Sequence, residues 1–121
     1  MTSSSKLLGL VLCASALLAG CKNTPEPLYY YGGYQQSVYS YFTGSDSSAS
    51  EQIDTLNQVI QIAADNGQAV APGVHAHLGM LHFETGNSRQ GTAHFEQEKR
   101  LFPEATAYLD FLLRSRSGGS E

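Results

Sequence analysis

Apolar residues run along this chain in two different ways. From Leu7 to Leu18 they form an almost unbroken segment, too short to span a bilayer as a permanent helix, which takes about 20 apolar residues. Beyond it they recur at helical spacing. Tyr34, Val38, Tyr41 and Phe42 stand at i, i+4, i+7 and i+8, and Ile53, Leu56, Ile60 and Ala63 at i, i+3, i+7 and i+10, so each set lines one face of a helix. Ser48 and Glu51 have capping-box spacing ahead of the second stripe. Asn66-Gly67 supplies its stop, because glycine accepts the left-handed conformation that closes a helix. Pro72 can open a third helix, where its missing N–H costs nothing. The run from Pro72 to Pro103 divides into two helices around Thr85-Gly86-Asn87, and a last helix starts near Pro103 with Ala105, Tyr108, Leu109 and Leu112 on one side. No segment alternates with period two. The expected fold is all-α, about five short helices in antiparallel hairpins and no sheet.

What precedes the helices changes the picture. Lys6, the apolar run and the small residues Ala19 and Gly20 have the layout of an export signal over residues 1–20. Leu18-Ala19-Gly20-Cys21 resembles the bacterial lipobox. That resemblance implies a diacylglyceryl thioether on Cys21, cleavage before it, and two or more acyl chains, enough for stable anchoring at about 0.8 kcal/mol per buried methylene. Lys22 stands where retained inner-membrane lipoproteins of enteric-type bacteria more often carry aspartate, so the resemblance favours the outer membrane, facing the periplasm. Cys13 lies inside the apolar run, so removing the signal leaves no cysteine free for a disulfide or a thiolate metal site.

Removing 20 residues from 121 leaves 101, with six basic and eleven acidic side chains, a net charge of −5. Such a chain offers no basic surface to nucleic acid and no polybasic segment to anionic lipid. Residues 21–28 form the lipidated cysteine and a polar tether with Pro25 and Pro27, residues 29–115 one small helical domain, and residues 116–121 a disordered tail. Six of the seven tyrosines fall between Tyr29 and Phe42. They suit an aromatic first helix packed on the domain, or, for Tyr29 to Tyr31, rings seated at a membrane interface.

Between His75 and Pro103 the chain resembles a tetratricopeptide repeat. The framework positions fall without a gap on His75, Leu78, Gly79, His82, Gly91, Phe95 and Pro103, and Leu78, Gly79, Phe95 and Pro103 keep the framework residue type. The resemblance implies two antiparallel helices brought close at Gly79 with Phe95 between them. It also implies a second face of the first helix, Gly73, Ala76, Met80 and Phe83, turned toward a concave groove. Glu98 and Lys99 stand where the repeat prefers alanine and leucine. The whole layout, "YYYGGYQQSVYSY", "PGVHAHLGMLHFETGN" and "HFEQEKRLFPEATAYLDFLL" after a lipobox, is similar to a family of small bacterial lipoproteins known as a domain of unknown function. Members are often encoded beside a lipoprotein related to the curli secretion channel. The family carries no catalytic residues to transfer.

Candidate chemistry is sparse. His75, His77, His82 and His94 are the clustered groups able to bind metal or titrate near neutrality. On one helix His75 and His82 share a face but lie about 10 Å apart by helix rise, and His77 points away from His75. Only His82 and His94 are expected to meet, across the hairpin, and two histidines without further ligands do not make a zinc site. Partly buried, hydrogen-bonded histidines are expected, with no metal and no cofactor. Glu96, Glu98 and Glu104, with Lys99 and Arg100, are expected as solvated helix charges. No serine has a nucleophile-elbow setting and no glycine-rich phosphate loop is present, so no catalytic residue and no small-molecule substrate is expected. The expected function is a lipid-anchored, non-enzymatic adaptor of an envelope assembly, with a curli-channel-like lipoprotein as one candidate partner. Its candidate residues are Cys21 for lipidation and Ala76, Met80 and Phe83 for an amphipathic partner segment, unless the tyrosine-rich helix folds over that stripe and buries it. The alternative is a small-molecule or metal binder using the histidine-bearing helices.

Overall fold

The structure, a computed structural model, describes residues 24–117 apart from Asp46, together with Ser3, Ser4 and Lys6. The apolar run, Cys21 and residues 118–121 lie outside the described residues. Within 24–117 the chain forms α1 (Tyr34–Thr43), α2 (Ala49–Asp65), α3 (Val74–Glu84), α4 (Ser88–Leu101), a 3₁₀ turn (Pro103–Ala105) and α5 (Thr106–Ser117), so the fold is all-α. Among the described residues no helix is long and apolar enough to cross a membrane.

Local chemistry explains where the helices begin and end. At the start of α2 the Glu51 N–H donates to Ser48 Oγ (3.2 Å) and the Ser48 N–H donates to the Glu51 carboxylate (2.7 Å), closing the expected capping box. These bonds hold the Glu51 carboxyl below its usual pKa. Gly67, at φ 64°, turns the chain out of α2 as expected. α5 runs to Ser117, past the expected domain end at residue 115.

The expectation of no strand needs correction. Tyr29–Tyr30 (β1) and Ala69–Val70 (β2) form a two-residue parallel ladder, Tyr29 opposite Ala69 and Tyr30 opposite Val70. The Ala69 N–H also donates to Leu28 O (3.3 Å), and the Gln68 side-chain amide donates to Pro27 O (3.1 Å). The ladder fastens the end of the tether onto the domain. Strands this short show no period-two pattern to read.

α2 and α3 enclose the core: Leu56 and Val59 meet Val74, Leu78 and Leu81, with Ala71 beside them and Tyr29, Tyr30, Tyr34, Tyr41, Ile53 and Ile60 packed around the edge. In α1 the buried residues are Ser37 and Ser40, and Phe42, counted by spacing on the apolar face, is 77 % exposed. The two serines let α1 approach the polar side of α2, where Ser37 Oγ donates to Gln52 Oε1 (3.4 Å). Of the tyrosines of α1, Tyr34 and Tyr41 pack against the core and Tyr39 stays exposed.

α3 and α4 interlock through two glycine–phenylalanine pairs. A Cβ on Gly79 would lie 2.3 Å from the Phe95 ring, and one on Gly91 would lie 2.8 Å from the Phe83 ring. Each glycine therefore leaves the space that the other helix's phenylalanine fills. The two rings meet edge to face at 5.3 Å. Against α4, α5 buries Leu109 and is held by Lys99 Nζ, which bridges Glu96 Oε1 (2.7 Å) and Asp110 Oδ1 (2.8 Å).

Candidate functional site

Glu98 is the first departure from the expected surface. It is 2 % exposed, and its carboxylate accepts the N–H of Gly73 (2.6 Å) and of Ala76 (3.1 Å), capping α3 from the next helix. α3 has no capping side chain of its own: its N-cap is Gly73, at φ 95°, with the Tyr34 hydroxyl packed where a Cβ would stand. The first N–H groups of a helix need acceptors, and Glu98 supplies them. Burial pushes the Glu98 carboxyl up in pKa, against the backbone N–H groups that favour its charged form. Glu98 is thus not a solvated helix charge, and Lys99, with both its ion pairs, is not simply one either. The signal in the sequence was that Gly91, Phe95 and Glu98 share one face of α4, while α3 starts without Ser, Thr, Asp or Asn. Glu98→Ala should lower the unfolding free energy by about 2 kcal/mol, the typical cost of orphaning buried donors, and Glu98→Gln, which keeps one acceptor oxygen, by less. Urea denaturation checks this, and a loss below about 0.5 kcal/mol for the alanine variant would show that water caps α3 instead.

Three of the four histidines form one pile. His75 and His82 lie one above the other on α3, and the His94 ring of α4 stacks with both, at 5.2 Å and 25° to His75 and at 5.3 Å and 4° to His82. His75 Nδ1 and His94 Nδ1 are 3.0 Å apart, so one carries the proton and the other accepts it. The expectation that only His82 and His94 could meet is corrected: α4 crosses α3 so that His94 lies between its two neighbours. His77 faces the other way, as expected, with Nε2 3.3 Å from Gln52 Oε1 and the Tyr41 ring edge-on at 5.1 Å.

Burial holds all four histidines below their ordinary pKa, His75 down to about 4, with the charges of His94 and Arg100 acting on it in the same direction. The fold therefore contains neutral imidazoles. Among the described residues no group of three or more His, Cys, Asp or Glu could hold a metal ion.

The candidate partner stripe is half-buried throughout, at Gly73, Ala76, Met80 and Phe83. Tyr34 covers its Gly73 end. At the other end Phe83 is engaged by Gly91 and Phe95, and the Arg116 guanidinium of α5 lies 4.6 Å from its ring centroid. Both terminal helices thus reach the stripe, not the tyrosine-rich helix alone. Cys21 lies outside the described residues.

A different surface carries exposed aromatic groups. Tyr39 and Phe42 project from α1, Tyr108 and Phe111 from α5, all four more than half exposed. Tyr41 links α1 to the end of α3: its ring meets Phe42 edge-on at 5.3 Å, and its hydroxyl donates to the Glu84 carboxylate. Burial and that carboxylate push the Tyr41 phenol up to about 12, with the Tyr108 phenol close enough to add to the effect. Spacing alone did not single out this surface, because Phe42 and Tyr108 were counted among core positions.

Comparison with curated proteins and with solved structures gave no match. A family model matches residues 28–112, from the last tether residue through most of α5. With so much of the chain covered, the protein belongs to the family described as a domain of unknown function, DUF4810.

Proposed function

We propose that this chain is a lipid-anchored, non-enzymatic adaptor of a bacterial envelope assembly at the outer membrane, held by a lipid on Cys21 and binding a protein partner through its aromatic face. The observation that supports this most directly is the exposure of Phe42 and Phe111, beside Tyr39 and Tyr108, on the first and last helices. Scattered single apolar residues are ordinary, but Tyr39 with Phe42 and Tyr108 with Phe111 each stand three residues apart on one face of a helix, and exposed aromatic groups of that kind mark interaction surfaces, where aromatic residues are enriched. A tether of six residues between Cys21 and Leu28 would keep that face near the bilayer and raise the effective concentration of a membrane-bound partner. The family resemblance points to a curli-channel-like lipoprotein as the partner. Met80, half-buried like Ala76 and Phe83, would contribute less than the exposed aromatic residues.

The test is co-purification of that lipoprotein with the chain from solubilised envelopes. Phe42→Ser combined with Phe111→Ser should reduce recovery at least tenfold, as expected for losing two anchor side chains worth about 1 kcal/mol or more each, while thermal unfolding stays unchanged. Full recovery with the double variant would remove this face from the interaction.

A further inference from the structure

We infer that a second apolar surface, where the tether joins the domain, seats on the lipid bilayer itself and sets the orientation of the domain on the membrane. This rests on the anchored reading above. β1 begins directly after the tether, and the bonds from Gln68 and Ala69 fix the path of the chain at Pro27 and Leu28. Leu28, next to Tyr29 in the chain, is 69 % exposed, and Tyr31 and Leu101 are exposed as well. Tyr29 links the last two, its ring meeting Tyr31 edge-on at 6.3 Å and Phe102 at 6.2 Å, with Leu101 lining the same hollow. The surface surrounds a hollow of about 510 Å³ lined by Tyr29, Ile60, Val70, His75, Leu101 and Phe102, with no acidic side chain in its lining.

Three observations select a bilayer as the occupant. Leu28 is seven residue steps from Cys21, and at about 3.3–3.6 Å per step the surface stands within about 25 Å of the acylated residue. Tyrosine rings with apolar bodies and polar tips suit the headgroup region, where such residues concentrate. The chain is acidic overall, yet the hollow has only neutral lining and, at its edge, Arg100 donating to Gln97, so phosphates meet no carboxylate in the hollow. Glu26 is the acidic residue on the tether, beside Asn66 and Gln68.

The chain has no tryptophan, so one introduced indole reports its position without background. The mature protein, purified from membranes, is incorporated into phosphatidylethanolamine–phosphatidylglycerol vesicles with brominated acyl chains. Tyr31→Trp and Leu101→Trp, both at exposed positions, are compared with Phe42→Trp on the aromatic face at the far end of α1. Quenching by the brominated chains is expected to be at least threefold stronger for the first two. Equal quenching at all three positions, or none at Tyr31→Trp and Leu101→Trp in protein that floats with the vesicles, overturns the docking. Flotation tests the anchor separately. The parent protein should float and Cys21→Ser should not, and a parent that floats no better than Cys21→Ser overturns the anchored reading and the docking with it.

Discussion

Phe95→Ala should lower the unfolding free energy by about 3–5 kcal/mol, the range for truncating a fully buried phenylalanine. Phe95 is completely buried, packed on the Cα of Gly79 and edge to face with Phe83. The site cannot collapse onto the missing ring, because the backbones of α3 and α4 already approach closely at Gly79 and the Gly91 carbonyl. The cavity therefore persists and its energy adds to the lost transfer energy. Against a total of about 5–15 kcal/mol for a domain, the loss is large enough to leave a substantial unfolded population on mild heating. Urea denaturation with matched m-values checks it. A loss under about 1 kcal/mol would show that the helices do not interlock around this ring.

Acidification should destabilise the domain over the range from about pH 6.5 to about pH 4. His75 has an ordinary value of 6.5 in the unfolded chain and about 4 in the fold. A group with a lowered folded value contributes its full stability above the unfolded value and loses it as pH falls through the folded one. For His75 alone that amounts to about 3 kcal/mol. His77, His82 and His94 act in the same direction because burial lowers each of them. Glu98 opposes them in part: its raised pKa favours folding as the pH falls. Stacking sharpens the effect, since a second proton shared by His75 and His94 would set two N–H groups against each other across 3.0 Å. The melting temperature should fall by more than about 10 °C between pH 7.5 and pH 4.5. His75→Phe, which removes the titrating group while keeping a planar ring, should flatten much of that slope. A parent melting temperature constant over this range would mean that the pile is open to water.

Helix boundaries were legible because the interactions that set them are local. The Ser48–Glu51 box, the glycine after Asn66 and the break at Thr85-Gly86-Asn87 each involve residues within a few positions of one another. The close approach at Gly79 and the burial of Phe95 match what the tetratricopeptide-repeat resemblance implies for this hairpin. The aromatic first helix was legible as a helix but not in its facing. Its apolar periodicity pointed inward at Phe42, yet small side chains at Ser37 and Ser40 let the polar side of α2 approach, and Phe42 was left exposed.

By itself the sequence determined the helical class and the number of helices, because periodicity and capping are short-range properties of the chain, while the pairing of α3 with α4 followed from the repeat resemblance. Only the tertiary structure decided which charge is buried, which histidines stack and which aromatics stay outside. Glu98 caps a helix that begins 24 residues earlier, His94 slides between two rings of another helix, and Tyr29 pairs with a strand 40 residues away. Each depends on where a distant segment lies, and a buried polar group takes whatever donor or acceptor that segment brings, since leaving it unpaired costs more than the contact itself contributes.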